Sequence, residues 1–182
     1  MGYRWGFKKE SNDLAAEIRS ELGLSAYDPL DPRILAEYLC IPIWNLSDLA
    51  ADGPEITPLL GAEAEQFSAV TVFAGPRRTI VHNDAHSASR QNSNLAHELA
   101  HGLLAHPATP ALDNRGCREW NQEIEDEASW LAGVLLISEA IALAVARGRW
   151  NKAEAAMKFG VSLQMLQFRL NTTGAVRRVK KG

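Results

Sequence analysis

The sequence predicts an α+β fold, mainly helical, with a small β-sheet beside a central helix and a helical pair at the C-terminus. Apolar residues recur at helical spacing through much of the chain, as in Leu14, Ile18 and Leu22, or Ala128, Leu131 and Leu135. Residues that favour strands gather in one stretch, Phe67 to His82, broken by Gly75-Pro76. From Leu95 to Ala105 every residue is apolar or glycine except His97, Glu98 and His101, and a helix apolar all round is a buried one.

The elements follow in order. Lys8 to Leu22 reads as a helix, stopped by Gly23. Asp31-Pro32 starts a second, with a capping Asp and Pro at the first helical position, and Leu35 and Leu39 point inward. Ile41 to Trp44 is expected as a short edge strand, because Pro42 has no N–H to give a ladder. Asp52 to Gly61 carries Gly53, Pro54, Pro58 and Gly61 and reads as a loop. Phe67–Phe73 and Thr79–His82 form a hairpin around Ala74–Arg78. Its exposed edge could hold an extended peptide by strand addition, or the sheet could simply cover the core. The central helix runs from about Arg90 to Ala105, and Pro107 to Gly116 is a loop. Glu119–Ile137 is a long helix with Ile124, Ala128, Leu131 and Leu135 inside. Ser138–Arg147 is an alanine-rich helix, and Asn151–Phe159 and Ser162–Asn171 make the last pair around Gly160-Val161. The basic tail, Arg177, Arg178, Lys180 and Lys181, is expected to be mobile.

A length of 182 residues suits one domain spanning 1–182. The composition, 46% hydrophobic and 23% charged, is that of a soluble globular protein, and a net charge of -3 gives no footprint for bulk nucleic-acid binding. Cys40 and Cys117 make neither a disulfide framework nor a zinc knuckle, so reduced thiols are the simple reading. Met1 to Glu10 lacks the apolar core of a signal peptide, and the longest apolar run, Trp130 to Ile137, is too short to span a membrane. The expected compartment is the cytoplasm, with no membrane partner.

His97-Glu98-Leu99-Ala100-His101 is the motif that carries chemistry. Three ionisable side chains on a buried helix need partners. Residues four apart share a helical face, so His97 and His101 can place two imidazole nitrogens on one metal ion. Glu98 lies about 100° round the helix, beside the ion, where it can deprotonate water as a general base. A catalytic zinc needs a third protein ligand. The residues offer Glu123, Glu125 and Glu127 on the next helix, or a third histidine. Ala128 and Ala132 beside Glu125 permit close helix approach and favour it slightly.

These residues resemble the ImmA/IrrE metallopeptidases, small bacterial and phage proteins with a gluzincin-type site. The resemblance rests on Trp5-Gly6-Phe7-Lys8, Leu22-Gly23-Leu24, Arg90-Gln91 before the His97 motif, Leu103-Leu104 with His106, and Glu125-Asp126-Glu127-Ala128 running to Leu135-Leu136. It implies a zincin-like domain and a metallo-endopeptidase. It makes Glu125 the third ligand of Zn2+, or of Mn2+ as in some relatives, and Glu98 the catalytic base. Ser129 stands where relatives often carry Asn or Asp to support a histidine ligand, and Ser138 where they often have Pro. The oxyanion needs a further donor, for which His82, His86, Arg90 and His106 stand open, His106 otherwise being a surface residue past the helix end. The implied substrate is a specific protein, a helix-turn-helix repressor of a mobile element or stress response.

Two other functions compete. A non-proteolytic antirepressor would act by contact, but would have no need of Glu98 as a base. A DNA-binding regulator would use 148–175 as a helix-turn-helix, with Gln164, Gln167 and Arg169 presented to DNA. Against this, Leu163, Leu166 and Leu170 commit a face to packing, and nucleic acid is not the expected partner.

Overall fold

The computed structural model describes residues 3–53, 67–107 and 121–181. Most of the expected loop at Asp52–Gly61, most of that at Pro107–Gly116, and Cys117 lie outside these. Helix α1 (Phe7–Glu21) buries Phe7, Ser11, Ala15 and Ile18, so the inward stripe runs one position off the expected Leu14 and Leu22, which sit on its flank. Helix α2 (Pro32–Tyr38) starts where Asp31 accepts the Arg33 amide at 2.8 Å. Strand β1 (Ile43–Asn45) leads directly into α3 (Leu46–Asp52), a helix with no counterpart in the sequence reading.

Strands β2 (Ala69–Ala74) and β3 (Arg77–His82) form the hairpin. Gly75 at φ 60° takes the first position of its two-residue turn, and Pro76 the second. The strand order is β1-β3-β2, with β1 parallel and β2 antiparallel to β3. Pro42 lies just ahead of β1, and its carbonyl accepts the Ile80 amide at 2.9 Å. Ile43, Ile80 and Thr71 stand side by side in register, on the face that packs against α4 (Ala88–Leu103).

Helix α5 (Gln122–Leu136) packs along α4, and both are inside the core: Leu95, Leu99, Ala128, Leu131 and Leu135 are fully buried. The remaining helices are α6 (Glu139–Ala146), α7 (Lys152–Lys158), α8 (Leu163–Thr172) and α9 (Ala175–Lys181). Ser138, where relatives often carry Pro, caps α6 by accepting the Ile141 amide. The turn between α7 and α8 holds against α4 through Asn92, which donates to the Gly160 carbonyl at 3.0 Å. An added Cβ at Gly160 would sit 2.6 Å from that amide nitrogen.

The C-terminal tail corrects the sequence reading. It is a helix packed on α6, with Ala175 buried and Arg178 paired with Glu139. Of the side chains that the helix-turn-helix reading presents to DNA, Gln164 is exposed and Arg169 is not. Arg169 is buried, donates to the Ile137 carbonyl at 3.0 Å, and has its guanidinium pulled down to about 10 by that burial. Gln167 is engaged by Lys152 and Asn171 within the protein. Leu163, expected to pack, is instead exposed, while Leu166 and Leu170 are buried. Among the described residues no single helix is long and apolar enough to cross a membrane.

Candidate metal centre

Helices α4 and α5 pack closely, and both carry small buried residues, Ala96 and Ala100 on one and Ala128 and Ala132 on the other. That close approach lets short carboxylates on α5 reach imidazoles on α4. His97 and His101 point at α5 with their Nε2 atoms 3.0 Å apart. Glu125 meets them with Oε2, 3.1 Å from His97 and 3.7 Å from His101. Around a tetrahedral zinc with bonds of about 2.0–2.1 Å, neighbouring ligand atoms stand about 3.3–3.4 Å apart. The triangle's sides of 3.0, 3.1 and 3.7 Å bracket that spacing.

The partners of the outer ring nitrogens strengthen the fit. His97 Nδ1 lies 3.3 Å from Ser129 Oγ, and His101 Nδ1 lies 3.0 Å from His106 Nδ1. If each ring donates from Nδ1, both Nε2 lone pairs face the Glu125 carboxylate. Three electron-rich atoms then converge, an arrangement that a cation stabilises and that repels without one.

Of the other carboxylates weighed for this place, Glu127 turns away and lies 3.3 Å from His106, and Glu123 is not in the cluster. Glu98 stands beside it. Its Oε2 accepts a hydrogen bond of 2.6 Å from the Thr71 hydroxyl on β2. His97, Glu98, Glu125, Ser129, Asn94 and Ser68 line a cleft of about 320 Å³. Asn94, which the sequence reading passed over, has its buried amide nitrogen without a partner among the described residues.

A family model described as the IrrE N-terminal-like domain, peptidase family M78, matches residues 57–171. The chain belongs to this family. No curated protein matches the chain. The M78 family is one of metallopeptidases, which suggests peptidase activity and a metal ion, and His97, His101 and Glu125 form a group that could hold one.

Of the oxyanion-donor candidates of this M78 chain, none of the three histidines lines the cleft. His82 is buried at the end of β3, absent from the cleft lining, 3.0 Å from Asn45 and 3.5 Å from Arg33. His86 is buried in the connection to α4 and is absent from the cleft lining. His106 lies behind His101, not across the cleft, and is not the surface residue otherwise expected. Arg90 alone reaches the cleft's rim, 3.4 Å from Ser68. The role of His106 had no signal in the sequence, because it depends on the turn at Ala105. A chain that ends a helix in a Schellman turn brings the residue five beyond a histidine back onto that histidine's turn.

Proposed function

We propose that this chain is a zinc-dependent endopeptidase of the cytoplasm that cleaves a specific protein, a helix-turn-helix repressor of a mobile element or stress response. The observation that carries the peptidase reading is Glu98 held beside the His97–His101–Glu125 triangle in one cleft. A divalent ion held there supplies Lewis-acid polarisation of the scissile carbonyl and acidifies water. Thr71 occupies one oxygen of Glu98 and fixes the carboxylate, leaving the other to take a proton from the attacking water. Glu98 then returns that proton to the leaving amine.

The strand edge supplies a way to hold substrate. Asn83 N–H donates to Ser68 O at 2.9 Å, so the pairs with the same parity, Val70–Val81 and Val72–Thr79, are the hydrogen-bonded ones. Ala69, Thr71 and Phe73 therefore turn their backbone N–H and C=O outward, on the edge without a partner strand among the described residues. An extended peptide paired there lies beside Glu98, because Thr71 belongs to both the edge and the Glu98 contact. Such a site selects a segment that can be drawn out as a strand, which suits a loop or linker of a folded protein. The repressor itself is what the family resemblance implies.

Co-expression with the repressor-like protein encoded nearest tests this, read by intact mass. The expected result is two fragments whose masses sum to the repressor plus one water with the wild type, and an intact repressor with Glu98→Gln. An intact repressor bound equally by both would replace proteolysis with inhibition by contact.

A further inference from the structure

His101 is braced from behind by a chain of side chains that the metal centre itself does not explain. His106 follows the last turn of α4, where a histidine is normally solvated, yet its side chain is only 8% exposed. Its Nδ1 lies 3.0 Å from His101 Nδ1, and its Nε2 lies 3.3 Å from Glu127 Oε2. Glu127 Oε1 in turn lies 3.4 Å from Arg4 Nε, which comes in from the start of the chain.

The backbone is bent to make this contact. Ala105 sits at φ 51°, a left-handed conformation that glycine takes readily and alanine does not. The bend closes a Schellman turn, with Ala105 N–H on the Gly102 carbonyl at 3.1 Å and His106 N–H on the His101 carbonyl at 3.0 Å. His106 is thereby returned to the histidine five residues before it.

Only one set of protons satisfies every contact while leaving His101 Nε2 free to accept or to ligate. His101 donates from Nδ1 to His106 Nδ1. His106 then carries its own proton on Nε2 and donates to Glu127, whose other oxygen accepts from Arg4. The chain fixes both the tautomer and the ring plane of His101.

We propose that His106, oriented by Glu127, is the positioning residue for the His101 ligand, setting how tightly the centre holds a divalent ion. This rests on the metal reading of His97, His101 and Glu125. His97 has a weaker brace, since Ser129 is exposed and 3.3 Å away, so His101 is the better-fixed ligand of the two.

The test is zinc affinity of the metal-free full chain, by competition with a chromophoric chelator, with melting of the metal-free protein measured alongside. His106→Leu should weaken zinc binding by about 10–100-fold. His106→Asn puts an amide oxygen where Nδ1 was and can accept from His101, so it should recover most of that loss. Metal-free melting should fall alike in both variants. A role in packing alone predicts no rescue, and equal zinc affinities for Leu and Asn would overturn the proposal, as would a His106→Leu affinity within twofold of the wild type. If His106→Leu fails to fold, His106→Asn beside Glu127→Gln decides. Asn near wild type with Gln measurably weaker supports the chain, and Asn as weak as His101→Ala overturns it. A wild type that takes up no stoichiometric zinc, or loses none in His101→Ala, fails the metal reading itself. Zinc lost in His101→Ala but unmoved in His106→Leu fails only the proposal.

Discussion

Ser129 marks the weak point among the residues around the centre. Its hydroxyl is exposed and 3.3 Å from His97 Nδ1, so water competes for the same ring proton. A carboxylate at this position would accept that proton in a charge-assisted bond, roughly twice as strong as a neutral one. Ser129→Asp should therefore tighten zinc binding, on the order of tenfold, measured by the same chelator competition. An unchanged or weaker affinity would mean that His97 needs no brace at Nδ1. The centre was legible at this scale where chemistry leaves a pattern in the chain. His97 and His101 are four apart on an apolar helix, and that spacing alone puts them on one face. Residue spacing left Glu123, Glu125 and Glu127 open, and the family resemblance singled out Glu125. The structure turns Glu125 to the imidazoles and Glu127 to His106. His106 was illegible because its role depends on a left-handed Ala105, and alanine carries no signal for that conformation.

Helix ends explain what could be read of the elements. Gly23, Gly148, Gly160 and Gly174 all take positive φ just past α1, α6, α7 and α8, which is why those stops show in the sequence. Helix α2 ends the same way without glycine. Cys40 sits at φ 54°, with its amide on the Glu37 carbonyl at 3.0 Å and the Ile41 amide on the Ala36 carbonyl at 2.8 Å. The left-handed conformation costs an L-residue about 1–2 kcal/mol, and glycine gives back about 0.5–1 kcal/mol through its freer unfolded chain. The Cys40 side chain is exposed, so little packing is lost. Cys40→Gly should raise stability by roughly 0.5–1 kcal/mol in urea unfolding, and a loss would show that the thiol makes contacts worth more than the strain. Helices α3 and α9 were missed for the opposite reason. Both are one short stretch held by distant parts of the chain, α9 against α6 and α8, and α3 through Ser47, which donates to Asp84. Local propensity cannot report that. Arg169 was misread likewise. An arginine on a helix reads as surface until the structure shows it closing the end of α5 at the Ile137 carbonyl.

At the scale of the molecule, one hydrophobic core runs from Phe7 to Ala175, past both limits of the 57–171 family match. The first helix belongs to the centre's support, since α1 packs on α5 and Arg4 reaches Glu127. The sheet is joined to the helices by a polar layer at the other end. Arg33 of α2 donates to Gln91 of α4 at 2.9 Å and approaches His82 of β3, while Asp84 accepts from the amide and hydroxyl of Ser47 on α3. That layer ties α2, α3, α4 and β3 through ionisable groups, so it should make the fold acid-sensitive. Burial, then the Arg33 charge, pushes the His82 imidazole below its ordinary 6.5, with Asp84 opposing and His86 adding to the effect. Below pH 6.5 the unfolded chain therefore binds the proton more readily than the folded one, and stability falls with pH until the folded histidine protonates too. Asp84 acts lower. Burial raises it, but the Ser47 hydrogen bonds outweigh burial and hold it below its ordinary 3.8, so its contribution persists to that range and is lost as pH falls through its folded value. Urea unfolding of the metal-free protein at pH 7 and pH 5 separates the two. The wild type should lose stability between these values, and His82→Gln, which cannot take the proton, should lose less. Every other group is common to both proteins, so the difference between them isolates His82. Equal losses would mean that His82 is as easily protonated folded as unfolded, and that the acid-sensitive joint lies elsewhere.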